Sequence, residues 1–261
     1  MNDLDLGLLA APFAAGLLVL ATHVPLGQEV LRRGIIFIDL AVAQVAALGV
    51  IVAHLLEWDA PELAHGFGAQ AAAAAAALSA AALLTWTERR WPEIQEALIG
   101  LLFVLAASLG ILLLANNPHG GEHMKELLAG QILWVGWSAL APAALLYGLL
   151  LAVWFGLGRR LGATGFYLLF ALMVTASVQL VGVYLVFASL IAPAVATRTL
   201  GRGRLAAGYA VGAAGYAAGL LLSAAYDLPA GAAVVCCLGV LALIALPLLA
   251  RGGQSGKLGG R

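Results

Sequence analysis

One carboxylate stands well inside an apolar run. It is Asp39, in the stretch Phe37-Ile38-Asp39-Leu40-Ala41-Val42-Ala43-Gln44-Val45. A charge inside a bilayer costs several kcal/mol, so an intramembrane ionisable group is by default a functional one. Two readings stand side by side: an acid lining a transport path, and a hydrogen-bonded structural acid near the interface that Arg33 marks. Gln44, Gln179 and His23 also interrupt apolar runs, and satisfied polar groups between helices are the commoner case for such residues. A second constellation is Asn116-Asn117-Pro118-His119-Gly120-Gly121-Glu122-His123, which holds two of the five histidines beside a carboxylate. Imidazole with carboxylate suits zinc, and carboxylate also suits manganese, so His119, Glu122 and His123 join Asp39 as candidate metal ligands. Gly120 and Gly121 disfavour a regular helical ligand face, and a solvated polar loop is the competing reading.

Catalytic arrangements are missing. The chain has no G-x-S-x-G, no H-E-x-x-H and no phosphate-cradling G-x-x-x-x-G-K-[ST]. It is therefore expected neither to hydrolyse ATP nor to act as an intramembrane protease, and no permanently bound cofactor is implied. Cys236 and Cys237 are the only cysteines and are adjacent, so a disulfide framework or a four-cysteine zinc site has no material.

The elements that must position Asp39 are membrane spans. Of 261 residues 63% are hydrophobic and 10% charged, with a mean hydropathy of +1.02, against about 25% charged in an average globular chain. A soluble enzyme and a disordered tail are excluded. Thirteen basic against thirteen acidic residues also exclude a nucleic-acid binder. A span needs about 20 apolar helical residues, and eight runs qualify in whole or part: 6–22, 34–56, 67–86, 97–115, 133–157, 166–192, 205–226 and 230–250. The expectation is an all-α, polytopic helix bundle forming a single permease domain over 1–261, with 251–261 as a flexible cytoplasmic tail. The acidic Asp3 and Asp5 argue against a cleavable signal peptide.

Twelve of the 13 basic residues fall in five clusters, at 32–33, 89–90, 159–160, 198–204 and 251–261, and Lys125 is the exception. Short cytoplasmic loops hold such an excess, which places the N-terminus outside and the C-terminus in the cytoplasm. The stretch between Arg160 and Arg198 then has to cross and return within a length barely adequate for two spans. It reads as a full helix, a break at Val181-Gly182, and a shorter returning helix over 182–196. Broken helices are tolerated only where protein or an aqueous cavity satisfies the backbone. The alanine run 71–77 and the glycines 208, 212, 215 and 219 read as faces for close helix packing.

Taken in order, several stretches resemble the zinc/manganese/iron-type permease family of ABC importers. Arg32-Arg33 through Phe37, Asp39 and Gly49 looks like the segment in which that family carries G-D-x-x-x-H. Ile99-Gly100, the run Leu-Leu-Ala-Gly-Gln-Ile-Leu-Trp-Val ending at Val135, and Val-Gly-Val-Tyr-Leu-Val-Phe-Ala-Ser-Leu-Ile-Ala-Pro-Ala-Val-Ala ending at Ala196 are similar to successive family segments. Ser223 to Gly231, with Asp227 and Pro229, matches its last turn. The resemblance covers about residues 28–245. It implies a permease subunit of the bacterial inner membrane that translocates a divalent transition metal inward. It further implies a cytoplasmic ABC ATPase, an extracytoplasmic metal-binding protein and a permease homodimer as partners.

Two departures qualify that picture. The family's acid and histidine are four apart, about 40° around a helix, whereas here Ala43 stands at that place and Gln44 follows, about 140° from Asp39. One residue absorbed as a π-bulge would turn Gln44 back toward the acid, which makes Asp39, Gln44 and Gln179 the expected path. The ATPase-facing stretch is also short, reduced to Gly158 followed by Arg159, Arg160, Leu161 and Gly162 where the family has a longer element ending in A-x-x-L-G. An ATPase-independent transporter or channel is the alternative, and a membrane scaffold without transport a third.

Overall fold

The computed structural model describes residues 6–56, 67–114, 132–201 and 203–258, and all regular structure there is helical. The helices are α1 (Leu6–Arg33), α2 (Ile38–Leu55), α3 (Phe67–Arg90), α4 (Gln95–Leu114), α5 (Trp137–Val181), α6 (Val183–Ala196), α7 (Arg204–Tyr226) and α8 (Ala230–Leu258), with 3-10 turns at Pro92–Ile94 and Ile132–Trp134. Among the described residues eight stretches are long and apolar enough to cross a membrane, two of them within α5, while Val183–Ala196 is a shorter apolar helix. The expected all-α, multi-pass architecture with a short helix after Gly182 is thus present.

Helix α5 is not one rod. Its two apolar stretches are Trp137–Gly156 and Gly162–Val181, and between them Gly162 has φ 59° and ψ −157°, a conformation that a residue without Cβ adopts at little cost. Twelve residues of straight helix would separate Trp154 from Phe166 by about 18 Å, yet their ring centroids lie 5.9 Å apart. The chain therefore folds back at Gly162. A second break, at Gly182 with φ 83° and ψ 161°, separates α5 from α6.

Helix α1 runs further than its apolar stretch. The expected span ended at 22, but the helix continues through Pro25 to Arg33. Pro25 has no N–H for the carbonyl of Ala21, four residues earlier, and the Tyr209 hydroxyl donates to that oxygen instead, at 3.1 Å. Glu29 then ties down the last turn, accepting from Arg32 Nε at 2.8 Å and from Arg33 Nε at 2.7 Å.

One compact unit gathers α1, the turn Ile132–Trp134, α5 through Tyr147, and α6 to α8. Small residues decide its packing. A Cβ on Gly27 would strike the backbone carbonyl of Leu190, and one on Gly215 or Gly219 would reach the backbone of Leu238 or Val234. The glycine face of α7 is thus a close-approach surface, as expected, and near its middle the Tyr216 hydroxyl lies 2.8 Å from Ser189 Oγ of α6. The other unit holds α2, α3, α4 and α5 from Gly148 to Gln179. There the alanine run of α3 meets α2 so closely that a Cβ on Gly49 would stand 2.6 Å from the Ala72 carbonyl oxygen.

Candidate functional site

Asp39 is the second residue of α2. The helix starts from a turn in which the Ile38 N–H donates to the Ile35 carbonyl at 3.2 Å, and Phe37 occupies the N-cap. A carboxylate in the first helical turn meets the positive end of the helix dipole, which is what makes an acid tolerable there. Asp39 is nonetheless 0% exposed, and neither carboxylate oxygen has a hydrogen-bond partner among the described residues. A structural acid would be hydrogen-bonded, because burying an unpaired carboxylate is costly. The side chain is an orphan acid aimed into protein, the kind of group whose retention asks for an explanation in a ligand or an ion.

The two glutamines expected along the path are not drawn to it. Helix α2 is α-helical from Ile38 to Leu55 and contains no π-bulge, so the turn that was to bring Gln44 toward Asp39 is absent and Gln44 stays about 140° away. The reason is downstream. A one-residue bulge would rotate the rest of α2 by about 100° and carry Gly49 off the Ala72 carbonyl against which it fits. Gln44 is 6% exposed, while Gln179 is exposed near the end of α5. Since the carboxylate oxygens of Asp39 are unpartnered, neither glutamine hydrogen-bonds them.

His119, Glu122 and His123 lie outside the described residues, and among the described residues no three His, Cys, Asp or Glu side chains converge on a metal position. Arg159, Arg160 and Leu161 have helical backbone, and their side chains lie outside the described residues; Gly162 is the fold-back point. His23 is completely buried, with Nδ1 placed 3.0 Å from the Val19 carbonyl and 2.9 Å from Thr22 Oγ1, and its Nε2 is without a partner among the described residues. Sequence reasoning took it for a satisfied polar residue, and it is satisfied on one side of the ring only.

Sequence reasoning missed a second buried group. Gln95, at the start of α4 and 4% exposed, donates from Nε2 to the Leu84 carbonyl of α3 at 3.0 Å and to the Tyr167 hydroxyl of α5 at 3.2 Å. Its Oε1 lies 2.9 Å from the Thr87 hydroxyl, whose single proton is shared with the Leu84 carbonyl at 3.0 Å. The amide orientation is fixed, because a reversed amide would set its oxygen against the Leu84 carbonyl. Next in sequence, Glu96 Oε1 accepts the backbone N–H of Phe37 at 3.2 Å. The only signal in the sequence was two polar residues at the mouth of a span, a pattern ordinarily read as interfacial.

Comparison with known proteins adds the affiliation. No curated protein matches the chain in sequence. Its fold is similar to a solved structure described as PsaBC from Streptococcus pneumoniae in complex with Fab, with a TM-score of 0.72 and 19% identity over 91% of this chain and 90% of that chain. The model of the ABC 3 transport family matches residues 6–248, so the chain, with its apolar spans and its short helix after Gly182, belongs to the ABC 3 transport family.

Proposed function

We propose that the chain is the permease subunit of an ABC importer carrying a divalent transition-metal ion, zinc or manganese, into the cytoplasm. Asp39 carries this reading: an unpaired, buried carboxylate in a helix long and apolar enough to span a membrane, in a chain of a transport family. A dication entering a dry passage loses hydration, and a fixed negative charge where screening is weak offsets part of that loss. Asp39 supplies the charge, Gln179 is a neutral oxygen donor along the path, and His119, Glu122 and His123 are entry-side ligands on the outer loop. The N-terminus lies outside and the C-terminus in the cytoplasm of a bacterial inner membrane.

ATP hydrolysis belongs to a separate cytoplasmic subunit, because the chain has no phosphate-cradling loop. That subunit docks on Arg159, Arg160, Leu161 and Gly162, whose cationic pair suits an acidic groove. An extracytoplasmic binding protein delivers the metal, and two copies of the permease form the passage. The reading is tested by Asp39→Asn, which keeps size and removes charge. Cellular zinc and manganese uptake should fall severely at an unchanged amount of membrane protein. Normal uptake in that variant would defeat the assignment. Replacing Arg159 and Arg160 by Glu should abolish capture of the ATPase, and uptake that survives without an ATPase would favour the secondary-transporter alternative.

A further inference from the structure

Two adjacent side chains in the first turn of α4 each hold a different element. Gln95 grips Tyr167, five residues beyond the fold-back at Gly162. Glu96 grips the N–H of Phe37, two residues before Asp39. The segment beyond Gly162 is held a second time, by Arg89 Nη2 donating to the Thr164 hydroxyl at 2.7 Å. All of these residues belong to the same compact unit.

We propose that the first turn of α4 is the relay through which a displacement of the segment around Gly162 reaches Asp39, with Gln95 and Glu96 as its positioning residues. This rests on the reading of residues 159–162 as the ATPase-docking segment. The physical ground is directionality. Apolar contacts between helices are non-directional and let one helix slide on another, whereas a hydrogen bond weakens steeply once its geometry is lost. Coupling between distant sites travels through hydrogen-bond networks and rigid elements. Here a rigid turn of helix joins one such bond to the next. Gln95 is also buried with donor and acceptor both engaged, so a shift of Tyr167 moves the first turn of α4 or leaves buried polar groups unpaired, and the second outcome is the costly one. Moving that turn moves Glu96, and with it the N-terminus of α2 on which the carboxylate of Asp39 sits.

The test uses the permease purified with the ATPase it captures and reconstituted in proteoliposomes, with ATP hydrolysis and zinc or manganese uptake measured on one preparation. Gln95→Leu and Glu96→Leu should leave ATPase capture and hydrolysis near wild type, yet lower the metal moved per ATP by about fivefold or more, the lower end of ordinary coupling free energies. Tyr167→Phe, which keeps the ring and removes the acceptor, should lower the ratio in the same direction without threatening folding. Glu96→Gln should restore it, because its amide oxygen still accepts the Phe37 N–H. An unchanged ratio in Gln95→Leu, Glu96→Leu and Tyr167→Phe overturns the relay. So does uptake that falls only in proportion to the amount of assembled complex, since the residues would then be structural. A wild-type permease that captures no ATPase and takes up metal without ATP defeats the importer reading itself, and the relay with it.

Discussion

Tyr209 donates its hydroxyl to the carbonyl of Ala21 at 3.1 Å, across 188 residues of sequence. It fills the place that Pro25 leaves empty in the α1 ladder. Removing it by Tyr209→Phe leaves a partly buried carbonyl without a donor, at a cost of about 1–3 kcal/mol. In a Pro25→Ala background the new N–H takes over the carbonyl, and the same Tyr209→Phe change should cost much less. Unfolding midpoints of the four proteins in detergent decide the matter. Equal costs in both backgrounds would show that the hydroxyl does not serve that carbonyl.

Close approach of α1 to α6 rests on Gly27. The atom a Cβ would meet there is backbone, the Leu190 carbonyl, and it cannot rotate away. Gly27→Ala should therefore destabilise the protein by the 1–3 kcal/mol or so of an overpacked core. Gly148→Ala, where no atom of the described residues stands within 4 Å of the added carbon, should leave the unfolding midpoint unchanged or raise it slightly by reducing helix entropy loss. Comparable midpoints for the two variants would contradict the crossing as described.

These two sites also show where sequence reasoning reaches and where it stops. The break at Gly182 was legible because a glycine falls where two basic ends leave too little chain for two straight spans. Asp39 was legible as the lone carboxylate within an apolar run, and the glycine face of α7 because its spacing is helical. The full length of α1 was not legible, since a proline and a fading apolar pattern signal an end, and the compensating hydroxyl comes from a helix nearly two hundred residues later. Gln95 was not legible either. A glutamine at a span boundary has no distinguishing neighbour in sequence, and its role arises from acceptors and donors that folding brings from α3 and α5. The π-bulge failed for a tertiary reason, because the fit of Gly49 over Ala72 sets the register of α2.

The proposed orientation rests on the basic clusters alone and is tested directly. In a variant lacking Cys236 and Cys237, a cysteine introduced at Gly66 should react with a membrane-impermeant reagent in intact cells, and one at Gly158 only after the cells are opened. Twelve of 13 basic residues stand on the side assigned to the cytoplasm, a bias strong enough to orient short loops. Labelling of the Gly158 position in intact cells would invert the topology and remove the proposed docking segment from reach of a cytoplasmic ATPase.

Asp39 offers a test in which function and stability move in opposite directions. Its oxygens are buried and have no partner among the described residues, so exchanging it for an apolar residue of similar size removes an uncompensated buried polar group, whose burial costs about 1–3 kcal/mol. Asp39→Val should therefore unfold at the same temperature as wild type or higher while abolishing uptake. A hydrogen-bonded structural acid would give the reverse, a clear loss of stability with transport impaired only through lost protein. Metal provides the second arm. An ion bound by the folded protein and not by the unfolded chain stabilises in proportion to the logarithm of its concentration over Kd, so excess zinc or manganese should raise the midpoint of wild type and leave that of Asp39→Val unmoved. Gln44→His belongs in the same series. Standing about 140° from Asp39 on a regular helix, a histidine there should leave the metal response and the zinc-to-manganese preference as they are in wild type, and a shift toward zinc would mean that α2 departs from its α-helical register when the metal is bound.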